Sequence, residues 1–319
     1  MIPFYFAVLP GEHIYSWFAR CFWLSGKLRR EEYLRQKKVS YTDLRPNEPL
    51  SQAMALVCKT AVQFNPKLDL PMCATPMPIW ALSMEPTTFL SFLKRYRGNI
   101  VSDDLHMREF DMLAGTQEWK ACKTCIAEDI EKFGCSMWHT KHQLSGCLNC
   151  YKHAARLVTP EKRMSSMGAL QLPHQINRWQ YASGADSKLS QEFSEFYSRI
   201  FDMSIEDAAC LSDLKYKFWK LLGIESRSVS QKQLACVDLE TQLADTLGIP
   251  FLANMFTYYS EGKNSHNCGV LAGLTKIEAK GYRVRNPIFW VTALFWKRRE
   301  LHLVKSEPAH ACAAGIHSI

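Results

Sequence analysis

The chain of 319 residues has no run of about 20 apolar residues free of charge, so no membrane-spanning helix can be read from it. It has no internal repeat and no low-complexity tract, which argues against a solenoid or a disordered linker protein. The opening MIPFYFAVLPGEH is apolar but lacks the basic residues of a secretory leader, and reads as the start of a folded cytoplasmic domain. Catalytic signatures are missing too. There is no P-loop, no Gly-x-Ser-x-Gly and no His-Glu-x-x-His. A zinc deaminase needs His-x-Glu upstream of Pro-Cys-x-x-Cys; here Ala121 stands where that proline would be, and His106-Met107-Arg108 is the wrong triplet. Asp103 and Asp104 fall at an expected helix start, where the helix dipole accounts for them. These absences point away from an enzyme.

What remains is a globular composition, 47% hydrophobic and 22% charged. The length exceeds one ordinary core. The patterning predicts a mainly α protein in three parts: a helical N-terminal domain over 1–117, a zinc-finger region over 118–160, and a helical C-terminal domain over 161–319. Charge is uneven. Segment 27–38 has six basic and two acidic residues, and 276–305 has eight and two, while 185–245 has seven basic against eleven acidic. Basic stretches of this kind suit a polyanion such as double-stranded DNA, although each can also be a solvated helix face.

Apolar residues at helical spacing predict a first helix over Glu12–Leu24, closed by Ser25-Gly26, and a basic helix through Arg35. Further helices are expected at 50–64, 85–97 and 103–114, with 65–80 kept irregular by Pro66, Pro71, Pro76 and Pro78. Segment 160–184 reads as a connection with short strands at most. Helical periodicity returns at 189–201, 204–222, 231–247 and 251–260. Val237–Tyr259, with Gly248 and Pro250 between two helical patterns, is a candidate helix-turn-helix. Its second helix lacks Arg and Lys, which suits core packing as well as DNA reading. Ile288, Val291, Leu294 and Phe295 are expected to share one face of a last helix. Around it, Arg283, Arg285, Lys297, Arg298 and Arg299 are candidate phosphate contacts; the last three also complement the helix dipole.

Seven of the twelve cysteines are scattered singly in apolar surroundings and read as small buried hydrophobes. The other five crowd between 122 and 150. Cys122-x-x-Cys125 and Cys150-x-x-His153 form two pairs separated by 24 residues. Three cysteines and one histidine in tetrahedral array suit one Zn²⁺, and four protein ligands without a carboxylate indicate a closed, structural site. Cys147-x-x-Cys150 is a rival second pair, and Cys135, His139 and His142 are spare donors.

Three stretches resemble the TniQ/TnsD family of transposon target-site selection proteins. Leu9-Pro-Gly-Glu-His-Ile-Tyr-Ser-Trp-Phe-Ala-Arg20 is similar to its N-terminal signature. Cys122-Lys-Thr-Cys125-Ile-Ala-Glu-Asp, Phe133-Gly134, Trp138-His139, Gln143-Leu144, Cys150-Tyr-Lys-His153 and Leu157 resemble its finger in the same order, which favours His153 over Cys147. Asn286-Pro287 opening an apolar helix is similar to C-terminal segments of TnsD-like members. The chain departs from members with a second cysteine-rich knuckle, since 160–209 holds no cysteine. The resemblance implies a bacterial, cytoplasmic protein that marks an insertion site for a cut-and-paste transposon. It would bind DNA directly or ride on a CRISPR effector complex, then recruit an AAA+ regulator of TnsC type. Glu12, Ser16, Trp17 and Arg20 become candidate partner contacts, with packing and helix bridging as the structural alternative. The competing class is a zinc-containing transcription factor or adaptor outside transposition.

Overall fold

The computed structural model describes residues 7–26, 29–39, 52–98, 119–162, 170–184, 187–260, 269–278 and 286–303. The expected helix over 103–114, together with Arg283 and Arg285, lies outside them. The described chain is mainly helical, as the periodicity indicates. Among the described residues no helix is long and apolar enough to cross a membrane.

The N-terminal helices are α1 (Ile14–Leu24), α2 (Arg30–Lys37), α3 (Gln52–Val62), α4 (Leu70–Cys73) and α5 (Pro86–Arg97). Helix α1 begins two residues later than expected. His13 is extended and its Nδ1 accepts from the Tyr15 amide (3.1 Å), satisfying one of the donors that a helix start leaves open. Ile14 through Phe22 are all buried, so α1 is a core helix and not a surface one. It packs on α3, which in turn meets α4 and α5. In the proline-rich segment, Pro71 falls in the first turn of α4 and Pro78 in that of a buried 3₁₀ helix, Met77–Ser83. Prolines cost little there, because first-turn amides have no intrahelical acceptor.

Helix α6 (Lys123–Phe133) follows, ended by Gly134 in the left-handed region (φ 74°). Two short strands, β1 (Val158–Pro160) and β2 (Trp179–Tyr181), pair antiparallel with Thr159 opposite Gln180. The C-terminal helices are α7 (Lys188–Glu206), α8 (Ala208–Leu221), α9 (Val229–Leu247), α10 (Ile249–Ala253), α11 (Thr257–Ser260), α12 (Val270–Glu278) and α13 (Ile288–Trp296). The 3₁₀ helix of the N-terminal part packs against α7 and α8, so one hydrophobic core runs from α1 to α13.

Two expectations are corrected here. All nine residues of α13 are buried, not one face of it. Phe295 meets Phe193 (5.2 Å between ring centroids) and Phe196 (5.4 Å), while Trp290 meets Trp219 (5.6 Å). A helix apolar all round is what a bundle centre requires. The candidate helix-turn-helix at 237–259 also departs from the expected pair of continuous helices. The second helix is broken into α10 and α11, and Phe251, Leu252, Met255, Phe256 and Tyr258 are buried. The break at Asn254–Phe256 lets Phe251 reach Phe193 (5.5 Å) while Phe256 reaches Phe289 (4.9 Å). Burying an aromatic side chain contributes roughly 1.5–3 kcal/mol, which outweighs the propensity to continue one short helix.

Candidate metal centre

The first ligand pair is set by an extended segment running into a helix. Ala121 exchanges backbone hydrogen bonds with Val158 of β1 (2.9 and 2.8 Å), and Cys122 is the extended residue before α6. Cys125 then lies in the first turn of that helix. The second pair sits in a tight turn: the Cys150 amide donates to the Ala155 carbonyl (2.7 Å), and the Ala154 amide to the Cys150 carbonyl (2.9 Å). Ala154 adopts a left-handed conformation (φ 55°) to close it.

These two turns bring Cys122, Cys125, Cys150 and His153 together, with one ligand atom from each and all four atoms within 4.8 Å of one another. A tetrahedral ion with metal–sulfur bonds of about 2.3 Å and a metal–nitrogen bond of about 2.0 Å needs S···S edges of about 3.8 Å and S···N edges of about 3.5 Å. The Cys125–Cys150 sulfurs are 3.7 Å apart, and His153 Nδ1 lies 3.6, 3.3 and 3.6 Å from the sulfurs of Cys122, Cys125 and Cys150. The donor set therefore fits a tetrahedral ion. All three cysteines are buried and the histidine ring half-buried, so the site is closed.

The electrostatics point the same way. Hydrogen bonds from the thiols of Cys125 and Cys150 push the Cys122 thiol down, while the neighbouring sulfurs and burial push Cys125 up. Three adjacent sulfurs cannot all ionise in a buried site without a cation, and a bound metal removes that conflict by taking the thiolates as ligands.

A second set of residues orients the first. His153 Nε2 meets Glu128 Oε1 at 3.0 Å, the carboxylate–histidine arrangement that fixes a ligand's tautomer. Lys152, and then His153, hold the Glu128 carboxyl below the usual range. His142 is buried, and burial with His139 beside it keeps its pKa well below the ordinary value. Its Nε2 lies 3.3 Å from the Cys150 sulfur. Asp129, one turn beyond Cys125, accepts from the Met137 amide (3.3 Å) and pairs with His139 Nε2 (2.9 Å). Lys120 is buried with its ammonium on the carbonyls of Leu144 (2.7 Å) and Cys147 (2.9 Å), and desolvation brings its pKa down to about 8.

Of the rival and spare donors, His142 borders the cluster without belonging to it, and the others stand elsewhere. Cys147 lies in the main core, apart from the cluster, and burial raises its thiol to about 11. His139 is engaged by Asp129, and Cys135 is not among the clustered donors. Glu128 and Asp129 are the residues that pattern reading alone passes over. Both had a signal: acids three and four residues after Cys125 lie one helical turn along from that ligand.

The expected partner surface is not a surface. Glu12, Ser16, Trp17 and Arg20 are all buried. Glu12 accepts from the Leu9 amide (2.9 Å) and from Arg20 Nη2 (2.7 Å), and Arg20 Nη2 also donates to the Ala7 carbonyl (2.6 Å). Ser16 Oγ accepts from the Trp138 amide at 3.0 Å. The bridging and packing alternative describes these residues. Of the described C-terminal cations, Arg298 stacks on Phe295 (3.9 Å), donates to its carbonyl (2.9 Å) and pairs with Glu192 (3.1 Å). Lys297 lies over Trp296 (4.2 Å) and pairs with Glu300 (3.3 Å), which leaves Arg299 as the exposed member of the three. No family model matches the chain, and no curated protein matches it.

Proposed function

We propose that this protein is a non-enzymatic target-site selector of the TniQ/TnsD kind, built around one structural zinc ion. The observation that supports this reading is convergence. The three stretches that carry the resemblance are far apart in sequence, yet they pack together. The His13 amide donates to the Trp138 carbonyl (2.8 Å) and the Thr140 amide to the Gly11 carbonyl (3.0 Å), which joins the Leu-Pro-Gly-Glu turn to the finger. Asn286 Nδ2 donates to Ser145 Oγ (3.3 Å), and its Oδ1 accepts from the Ile288 amide (3.0 Å), which joins the Asn-Pro start of α13 to the same finger. Gly146 makes that approach close: it has φ 77°, and a Cβ there would stand 2.6 Å from Ile288 Cδ1.

In this role zinc supplies folding free energy and does no chemistry, since four protein donors leave no position for a substrate. Partners on this reading are double-stranded DNA, an AAA+ regulator of TnsC type, and a CRISPR effector complex where one guides the protein. Glu12, Ser16, Trp17 and Arg20 are buried, so this reading assigns the regulator contact to other residues.

The test joins metal content to DNA binding. Purified protein is expected to carry about one zinc per chain, reduced in Cys125→Ser and His153→Ala. DNA binding is expected to weaken with added salt, through phosphate contacts. Protein prepared without chelator and free of zinc would remove the metal from the reading. Zinc-loaded protein that binds neither DNA, nor the regulator, nor a guide complex would remove the selector role.

A further inference from the structure

The buried contacts around α1 lead from the ligands to the N-terminal turn without a gap. Cys125 and Asp129 are one turn apart on α6, and Asp129 holds both the Met137 amide and the His139 ring. Trp138 and Thr140, on either side of His139, make the three hydrogen bonds that receive the N-terminal turn: His13 N–H to Trp138 O, Thr140 N–H to Gly11 O, and Trp138 N–H to Ser16 Oγ. On the other flank of the first knuckle, Trp119 stacks on Tyr15 (4.2 Å) and meets His13 edge-on (5.0 Å). The Trp138 indole donates to the Gln171 carbonyl (2.8 Å) and Tyr15 OH accepts from the Leu170 amide (2.8 Å), so the same cluster carries the chain beyond the finger. The rest of the N-terminal part is held differently, by the 3₁₀ helix against α7 and α8.

We propose that the metal centre is a clasp for the Leu9–Ser16 turn, so that metal occupancy decides whether the start of α1, with Glu12, Ser16, Trp17 and Arg20, is buried or released. This rests on the zinc reading and adds a consequence to it. Around the ligands only a small separate cluster is buried, Cys122, Cys125, Leu148, Cys150, Leu157 and Ala182, and on the zinc reading the ion supplies the folding free energy there. Once that geometry is lost, the acceptors for His13 and the donors from Trp138 and Thr140 go with it. The contacts of the 3₁₀ helix with α7 and α8, and those of α13 beyond its Asn286–Ile288 start, involve none of the ligands and keep their packing. The clasp therefore opens locally and not globally.

The experiment is hydrogen exchange on the full chain, as purified and after stripping with a chelator, with metal content measured on both. Stripped protein is expected to exchange the amides of His13, Trp138 and Thr140 faster by about tenfold or more, while those of α7 and α13 keep their rates. Ser16→Ala provides the arm that does not depend on metal loss: it is expected to keep its zinc and to speed exchange at Trp138 alone among these amides. Unchanged protection at His13 and Thr140 in protein shown to have lost its zinc would overturn the clasp while leaving the zinc reading intact. Equal loss of protection in α7 and α13 would also overturn it, by showing one global unfolding. Protein that never held zinc would overturn both readings, and the metal measurement separates that case from the others.

Discussion

Replacing Glu12 with alanine distinguishes a buried bridge from a partner contact. The Glu12 side chain is fully buried and that of Arg20 is 7% exposed. Its carboxylate accepts from the Leu9 amide (2.9 Å) and from Arg20 Nε (3.2 Å) and Nη2 (2.7 Å). Glu12→Ala strips the buried guanidinium of its carboxylate partner, while the Ala7 carbonyl still accepts from Nη2 at 2.6 Å. Stranding one member of a buried ion pair costs about 3–5 kcal/mol, and the orphaned Leu9 amide adds about 1 kcal/mol. We expect a loss of about 3–5 kcal/mol overall, because water reaching the guanidinium offsets part of it. Against a net stability of roughly 5–15 kcal/mol this is a large fraction. Urea denaturation followed by circular dichroism measures it, with regulator and DNA binding measured alongside. The double variant Glu12→Leu with Arg20→Met, which removes both charges, is expected to cost less than the two single changes together. A Glu12→Ala protein within about 0.5 kcal/mol of wild type, but defective in regulator binding, would refute the bridge and restore the surface role.

Two further outcomes follow from the residues around the site. Glu128→Ala is expected to retain zinc stoichiometry but weaken affinity by about 10- to 100-fold in a competition titration with a chromogenic chelator, since it removes the carboxylate that orients His153. An unchanged affinity would show that the histidine needs no orienting partner. Lys120 has its native pKa lowered to about 8 from an unfolded value near 10.5, so the unfolded chain binds more protons between them and stability rises with pH across that window. The shift corresponds to about 3 kcal/mol, and the rise is expected to be absent from Lys120→Met in denaturation curves taken at pH 8 and pH 10.5. Parallel pH profiles for the two proteins would refute it.

The sequence alone determined the helical character and the ligand set, and the reason is that both are local. Helical periodicity in α1, α3, α5, α7 and α9 depends on neighbours three and four residues away, and the chain shows it directly. The Cys-x-x-Cys and Cys-x-x-His spacings are turn geometries, legible for the same reason, although the choice between His153 and Cys147 leaned on a family resemblance. Tertiary structure decided what depends on distant partners. It cut 251–260 into two pieces because Phe251 and Phe256 bury against different helices, and it chose the aromatic partners that surround α13. It also turned Glu12, Ser16 and Arg20 inward. A Glu, a Ser and an Arg on one helix read as solvent-facing until their partners are known, and one of those partners, the Trp138 amide, lies 122 positions from Ser16. Burial of a polar group is stable only when each hydrogen bond is met, so the location of such residues is settled by the fold and not by their own chemistry.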